Sequence, residues 1–171
     1  MNVISTLKTW QLFMLLSFPI AFIYLSFFLP LATDTIFLFT NIVIMVNGII
    51  MLLWFISLAI LFDKENEIEK KPSVTYFLIN ILLAGIYMVV SILFQLFGIN
   101  LLENIVFILI HLYSMYAIAY GLYFLSKSLV MLEKNRNVSF REYIKTLLLI
   151  WFYPIGVWFV HPRVKQVLNH K

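Results

Sequence analysis

The sequence predicts an all-α, polytopic integral membrane bundle: four long transmembrane helices, then a short C-terminal element that is re-entrant, interfacial or a fifth crossing. Three observations carry this. Of 171 residues, 63% are hydrophobic and 12% charged, where a domain that covers itself in water carries roughly 25% charge. Four stretches, 12–31, 36–62, 74–97 and 105–125, contain no Asp, Glu, Lys or Arg. Each reaches the roughly 20 residues that a helix needs to cross about 30 Å of hydrocarbon. Finally, the linkers alternate in charge, as a chain threading back and forth through a membrane requires.

A β-barrel would need strands of about ten residues with alternating faces, and runs such as 49–56 and 105–110 show no alternation. In lipid, backbone polar groups must be satisfied within the segment, so long apolar runs default to helix. The stretch 12–31 is longer than a secretory signal core of roughly 7–15 residues, and Pro30, Leu31 and Ala32 fit a cleavage site poorly. It is therefore read as a crossing, with Pro19 a point of bending and Pro30 near its end.

Lys8, Lys64, Lys70, Lys71, Lys127, Lys134, Arg136, Arg141 and Lys145 all fall on one side of this threading, and none of the lysines or arginines between the four segments falls on the other, where Asp34 and Glu103 sit. By the positive-inside rule the N-terminus and both charged linkers are expected in the cytoplasm, with a bacterial plasma membrane the simplest host. The net charge of +4 thus answers the membrane, and nucleic acid is disfavoured as a partner. With no cysteine, disulfides, thiolate nucleophiles, Cys-ligated zinc and iron–sulfur clusters are excluded.

The whole chain reads as one membrane domain, with residues 1–131 the bundle and 137–171 a basic amphipathic segment, a membrane-embedded element and a cytoplasmic tail. Ser139 with Glu142 three positions later forms a capping-box signature, followed by Phe140, Tyr143, Ile144 and Leu147 at helical spacing. Residues 146–160 are too short for an ordinary crossing and are interrupted by Pro154 and Gly156. A fifth crossing would export Arg163, Lys165 and Lys171, so an element that returns the tail to the basic side is favoured. Trp151, Tyr153 and Trp158 are expected at the interface, Pro162 is expected to stop the helix, and Arg136, Arg141, Lys145 and Arg163 are expected to meet anionic lipid headgroups.

Within the bundle, Asn80, Ala84, Tyr87, Ser91 and Gln95 form one face of the third helix, with spacings of four, three, four and four. Amides are costly in hydrocarbon, so this face, joined by His111 and Ser114 on the fourth helix, is either an interhelical hydrogen-bond network or a polar path. Tyr113, Tyr116, Tyr120 and Tyr123 recur on another face of the fourth helix, as packed rings or the lining of an aromatic cavity. In the second helix, Gly48 permits close approach, and Asn41 or Asn47 is expected to bond another helix.

No GxGxxG, Walker loop, HExxH or GxSxG occurs, and the four long segments hold no carboxylate. His111 stands alone in them, without the companions of a metal or haem site. No catalytic residue, metal or cofactor is assigned. The function expected is noncatalytic interaction or assembly in the membrane, as a homo-oligomer or with another membrane protein. The alternatives are a small transporter or oligomeric pore using the third helix, and a lipid-acting enzyme drawing on Glu133, Glu142, Arg136, Arg141 and His161.

Overall fold

The computed structural model describes residues 7–26, 28, 32–66, 68, 71–99 and 101–169. Pro30, Leu31, Lys70, His170 and Lys171 lie outside the described residues. Those described form an all-α bundle: α1 Thr9–Ser26, α2 Thr33–Glu65, α3 Val74–Leu96, a single 3-10 turn at Leu101–Glu103, α4 Ile105–Lys134, α5 Phe140–Trp151 and α6 Tyr153–Asn169.

Helices α2, α3 and α4 are long and apolar enough to cross a membrane, and α1 is a shorter apolar helix. At about 1.5 Å per residue, the 33 residues of α2 and the 30 of α4 span about 50 and 45 Å, well beyond a hydrocarbon layer of about 30 Å. The excess carries the charged ends, Asp63 to Glu65 on α2 and Glu133 and Lys134 on α4. Helix α4 thus outruns the apolar stretch 105–125 that announces it. Ser126 turns its hydroxyl onto the Leu122 carbonyl at 2.7 Å, while Val130 and Met131 pack on Val138 and Tyr143. Burial sustains a helix there after uniform hydropathy has ended.

The ends are set by local chemistry. Ser73 caps α3 by accepting the Tyr76 N–H, and Asn104 caps α4 by accepting that of Val106. Helix α3 closes in a Schellman motif: Gly98 N–H donates to Gln95 O at 3.0 Å and Ile99 N–H to Phe94 O at 2.9 Å. That turn places Gly98 at φ 74°, a conformation glycine adopts without a Cβ clash. Asn135, at φ 49°, ends α4 in the same left-handed region. Lys71 ties the α2–α3 connection, with Nζ 2.9 Å from both Asp63 O and Asp63 Oδ1 and 3.0 Å from Asn66 O.

Helices α5 and α6 form a hairpin. The helical ladder runs to Trp151 and a new helix starts at Tyr153, because Pro154 has no N–H to continue the first and suits the opening turn of the second. Gly156 lets the arms close: a Cβ there would overlap the Leu149 carbonyl. Near the tip, Asn47 Nδ2 donates to Tyr153 Oη at 2.8 Å, and Asn47 lies well within the length of α2. At the far end, His161 Nε2 is 3.0 Å from Leu7 O and Arg163 holds Glu133. Both arms therefore have their outer ends at the basic end of the bundle, so α6 returns toward Lys8 and Lys134.

Two expectations are corrected. Trp151 and Tyr153 sit at the hairpin tip, at the depth of Asn47, so neither marks the basic end of the bundle. Pro162 does not stop the last helix: α6 runs through it to Asn169, because Val157, Val160 and Val164 are buried against the bundle on one stripe. Packing there outweighs the one backbone bond that the proline forfeits.

The core lies at the basic half. There Trp54, Phe55, Leu58 and Phe62 of α2 meet Phe77, Phe124, Leu125 and Leu129, with Leu12 and Leu16 of α1 and the valines of α6 closing the side. In the other half of α4, residues 105–116, only Ser114 is buried among the described side chains.

Candidate functional site

Above that core, α2, α3 and α4 separate around a cavity of about 650 Å³. This falls within the roughly 300–1,000 Å³ typical of sites for small organic ligands. Gly48, Met51, Leu52 and Phe55 form the α2 wall, while α3 supplies Ile81, Ala84, Gly85, Tyr87, Met88, Ser91 and Gln95. His111, Ser114, Met115 and Ile118 come from α4, and the turn Gly98, Ile99 and Leu101 rims the end away from the basic side. Small residues create the approach: a Cβ on Gly48 would meet Met88 Cε at 2.7 Å, and one on Gly85 would meet Leu52 Cδ1 at 2.7 Å. Phe77 and Phe124 stack at 4.6 Å between ring centroids in the core, toward the basic end.

The structure brings five of the six residues singled out as a polar path or network into this cavity: Tyr87, Ser91, Gln95, His111 and Ser114. Tyr87 Oη lies 3.1 Å from His111 Nδ1, joining α3 to α4. Ser91 and Ser114 turn their hydroxyls onto the carbonyls of Met88 and Ile110, each at 2.9 Å. Asn80 is buried elsewhere: its Nδ2 donates to Tyr76 O at 2.7 Å and its Oδ1 accepts from Tyr113 Oη at 2.8 Å.

Asn80 belongs instead to a ladder of rings on the outside of α3 and α4. Tyr113, Tyr116, Tyr120 and Tyr123 follow one another with centroids 5.6–6.4 Å apart. Tyr76 joins them edge-on to Tyr120 at 4.8 Å, and its hydroxyl is 3.1 Å from that of Tyr116. At the basic end Tyr143 of α5 meets Tyr123 edge-on at 5.8 Å, and Lys127 Nζ donates to Tyr123 Oη at 3.1 Å. Tyr76, Tyr113 and Tyr116 remain 43%, 41% and 50% exposed.

Besides the Lys71–Asp63 pair, the basic end holds ion pairs centred on Glu142 and Glu133. Glu142 takes Lys134 and Arg136, each at 2.6 Å, and accepts the Ser139 N–H at 2.8 Å in the expected capping box. The Lys134 ammonium first, then the Ser139 amide and the Arg136 guanidinium, hold the Glu142 carboxyl well below the usual carboxylate range. Arg163 grips Glu133 with two parallel bonds of 2.7 Å and donates a third, at 3.0 Å, to Thr146 Oγ1. Of the four cations expected to meet lipid headgroups, Arg136 and Arg163 thus also bind carboxylates of the protein, while Arg141 and Lys145 are exposed on α5. His161, also buried, has its basicity lowered chiefly by that burial, opposed by the Leu7 carbonyl.

Several parts of these sites escape a reading of segments. Tyr76 lies one turn before Asn80, and extending the third-helix stripe by four residues would have found it. Asn47 does bond another helix, while Asn41 donates to Phe37 O within α2. The partner of Asn47, Tyr153, is 106 positions away, and the pairing of Glu133 with Arg163 depends on the same hairpin. No known protein family, curated protein or solved structure matches the chain.

Proposed function

We propose that the protein is a noncatalytic membrane component that works by assembly, joining a second copy of itself through the tyrosine ladder. The observation that carries this is the exposure of Tyr113 and Tyr116, eight and eleven residues into α4. At about 1.5 Å per residue these side chains lie roughly 12–17 Å from the start of the helix, where each phenol oxygen keeps a lone pair beyond its bond to Asn80 or Tyr76 and polar groups facing lipid are disfavoured. A covering helix relieves that, and every tyrosine hydroxyl both donates and accepts, so the same ladder on a second copy is a chemically matched partner. The positive-inside pattern supports a cytoplasmic basic end, where the outer ends of both hairpin arms lie. Arg141 and Lys145 there suit anionic lipid headgroups.

Mass measurement on protein held in lipid nanodiscs tests this. The expected result is a multiple of the 20.2 kDa chain that falls to the single chain on Tyr113→Leu with Tyr116→Leu. A solitary wild-type chain in lipid contradicts it, as does a mass matching one foreign protein.

Solute passage is the second reading, supported by the polar side chains that share the cavity. It predicts that Gln95→Leu changes flux through reconstituted protein; unchanged flux in the folded variant removes Gln95 from that role.

A further inference from the structure

We infer that the cavity between α2, α3 and α4 binds a neutral single-chain amphiphile, with an uncharged hydrogen-bonding head near Gln95, Ser91 and the Tyr87–His111 pair and an apolar chain directed toward Phe55 and Ile81. Three features select this class. First, polarity is graded along the cavity. Gln95 lies one residue, and Ser91 five, from the end of α3, with Tyr87 and His111 next; Met51, Leu52, Phe55 and Ile81 line the part nearer the core. A head with one apolar chain has that same order of polarity. Second, none of the described lining residues is Asp, Glu, Lys or Arg. A phosphate, carboxylate or ammonium would meet no countercharge there, whereas a hydroxyl, ester or amide meets imidazole, phenol and carboxamide groups. Third, Gln95 lies fourteen positions beyond Ile81 on α3, about 21 Å at 1.5 Å per residue, which is the reach of an extended lipid chain rather than a compact solute.

This inference is independent of self-assembly, because the ladder residues Tyr76, Tyr113 and Tyr116 are not among the described lining of the cavity. Binding requires no chemical step: the head exchanges hydrogen bonds with water for hydrogen bonds with the protein, and the chain fills apolar space.

The test uses the full-length protein in phosphatidylcholine nanodiscs with a monoacylglycerol bearing a diazirine near the end of its chain. After photolysis the labelled peptides are mapped. The expected label saturates at one per chain and falls on the cavity lining of α2, α3 and α4. Monooleoylglycerol displaces it at least tenfold better than a lysophosphatidylglycerol of the same chain. Ser91→Phe, which fills the upper cavity, removes the saturable label. Tyr87→Phe, which deletes one hydroxyl with little change of shape, weakens displacement by monooleoylglycerol about fivefold, the effect of one net hydrogen bond. Thermal unfolding of each variant confirms that it is folded. Label that grows without saturation and spreads over the exposed Leu82 and Ile86 overturns the site. Equal displacement by the charged competitor overturns the neutral head. Saturable labelling in folded Ser91→Phe places the ligand elsewhere.

Discussion

Gly156→Ala probes the hairpin at its tightest point. An added Cβ would overlap the Leu149 carbonyl oxygen and lie 3.2 Å from Leu149 Cα. These are backbone atoms, so no rotamer change relieves the overlap and α5 must move away from α6. Overpacking of this kind costs about 1–3 kcal/mol, and a backbone obstacle places it near 3. Replacing a helical glycine by alanine returns roughly 1 kcal/mol, leaving a net loss of about 2 kcal/mol. For a domain of this size each kcal/mol moves Tm by about 2–4 °C, so a fall of about 4–8 °C is expected. The assay is thermal unfolding in a mild detergent followed by tryptophan fluorescence, which Trp151 and Trp158 report from the two arms. Gly121→Ala is the matched control: its Cβ would make ordinary contacts of 3.4 Å with Ile81 and Phe77, and its Tm should equal or exceed that of the wild type. A Tm for Gly156→Ala at or above the wild-type value would refute close contact between the arms.

The Glu133–Arg163 pair should hold the returning arm. With both side chains less than a third exposed, Arg163→Ala is expected to lower stability by about 1–2 kcal/mol after allowance for solvent screening, read as a fall in Tm. The exchanged pair Glu133→Arg with Arg163→Glu should recover part of it, and no recovery would point to the Thr146 bond as the larger contribution. His161 should make stability depend on pH. Because burial lowers its folded pKa below the ordinary value of 6.5, the unfolded chain binds the proton first, so the contribution is complete above about pH 6.5 and is lost as pH falls below it. Tm measured from pH 8 to pH 5 should therefore decline, and His161→Gln should flatten that decline; an unchanged slope would assign it to another group. Glu142 acts in the same direction only below its ordinary value of 4.5, outside this window.

The spanning helices were legible because hydrocarbon imposes one requirement on composition over a long run. Val74 marks the start of α3 in the sequence and in the structure, and the end of its apolar run, Phe97, is one residue past the helix. Boundaries set by packing were less legible. Helix α4 continues through Ser126 and Lys127, and α6 through Pro162, because neighbours bury one face of each. Pro154 and Gly156 did announce a break, since one lacks a donor and the other lacks a Cβ. The polar stripe was legible as a face but not as a destination. Period alone puts Asn80 with Gln95, whereas packing gives Asn80 to the tyrosine ladder and Gln95 to the cavity. Such assignments depend on the rotation of each helix against its neighbours, which one helix's own sequence does not contain.

The absence of cysteine from the chain makes the decisive measurement direct. Single cysteines placed at Asp34, Glu103, Lys64, Asn137 and Lys165 can be labelled with a membrane-impermeant maleimide in sealed vesicles of known orientation. Lys64, Asn137 and Lys165 should be reached from one side, with Asp34 and Glu103 reached from the other. Labelling of position 165 together with positions 34 and 103 would make α5 and α6 a crossing and contradict the returning hairpin.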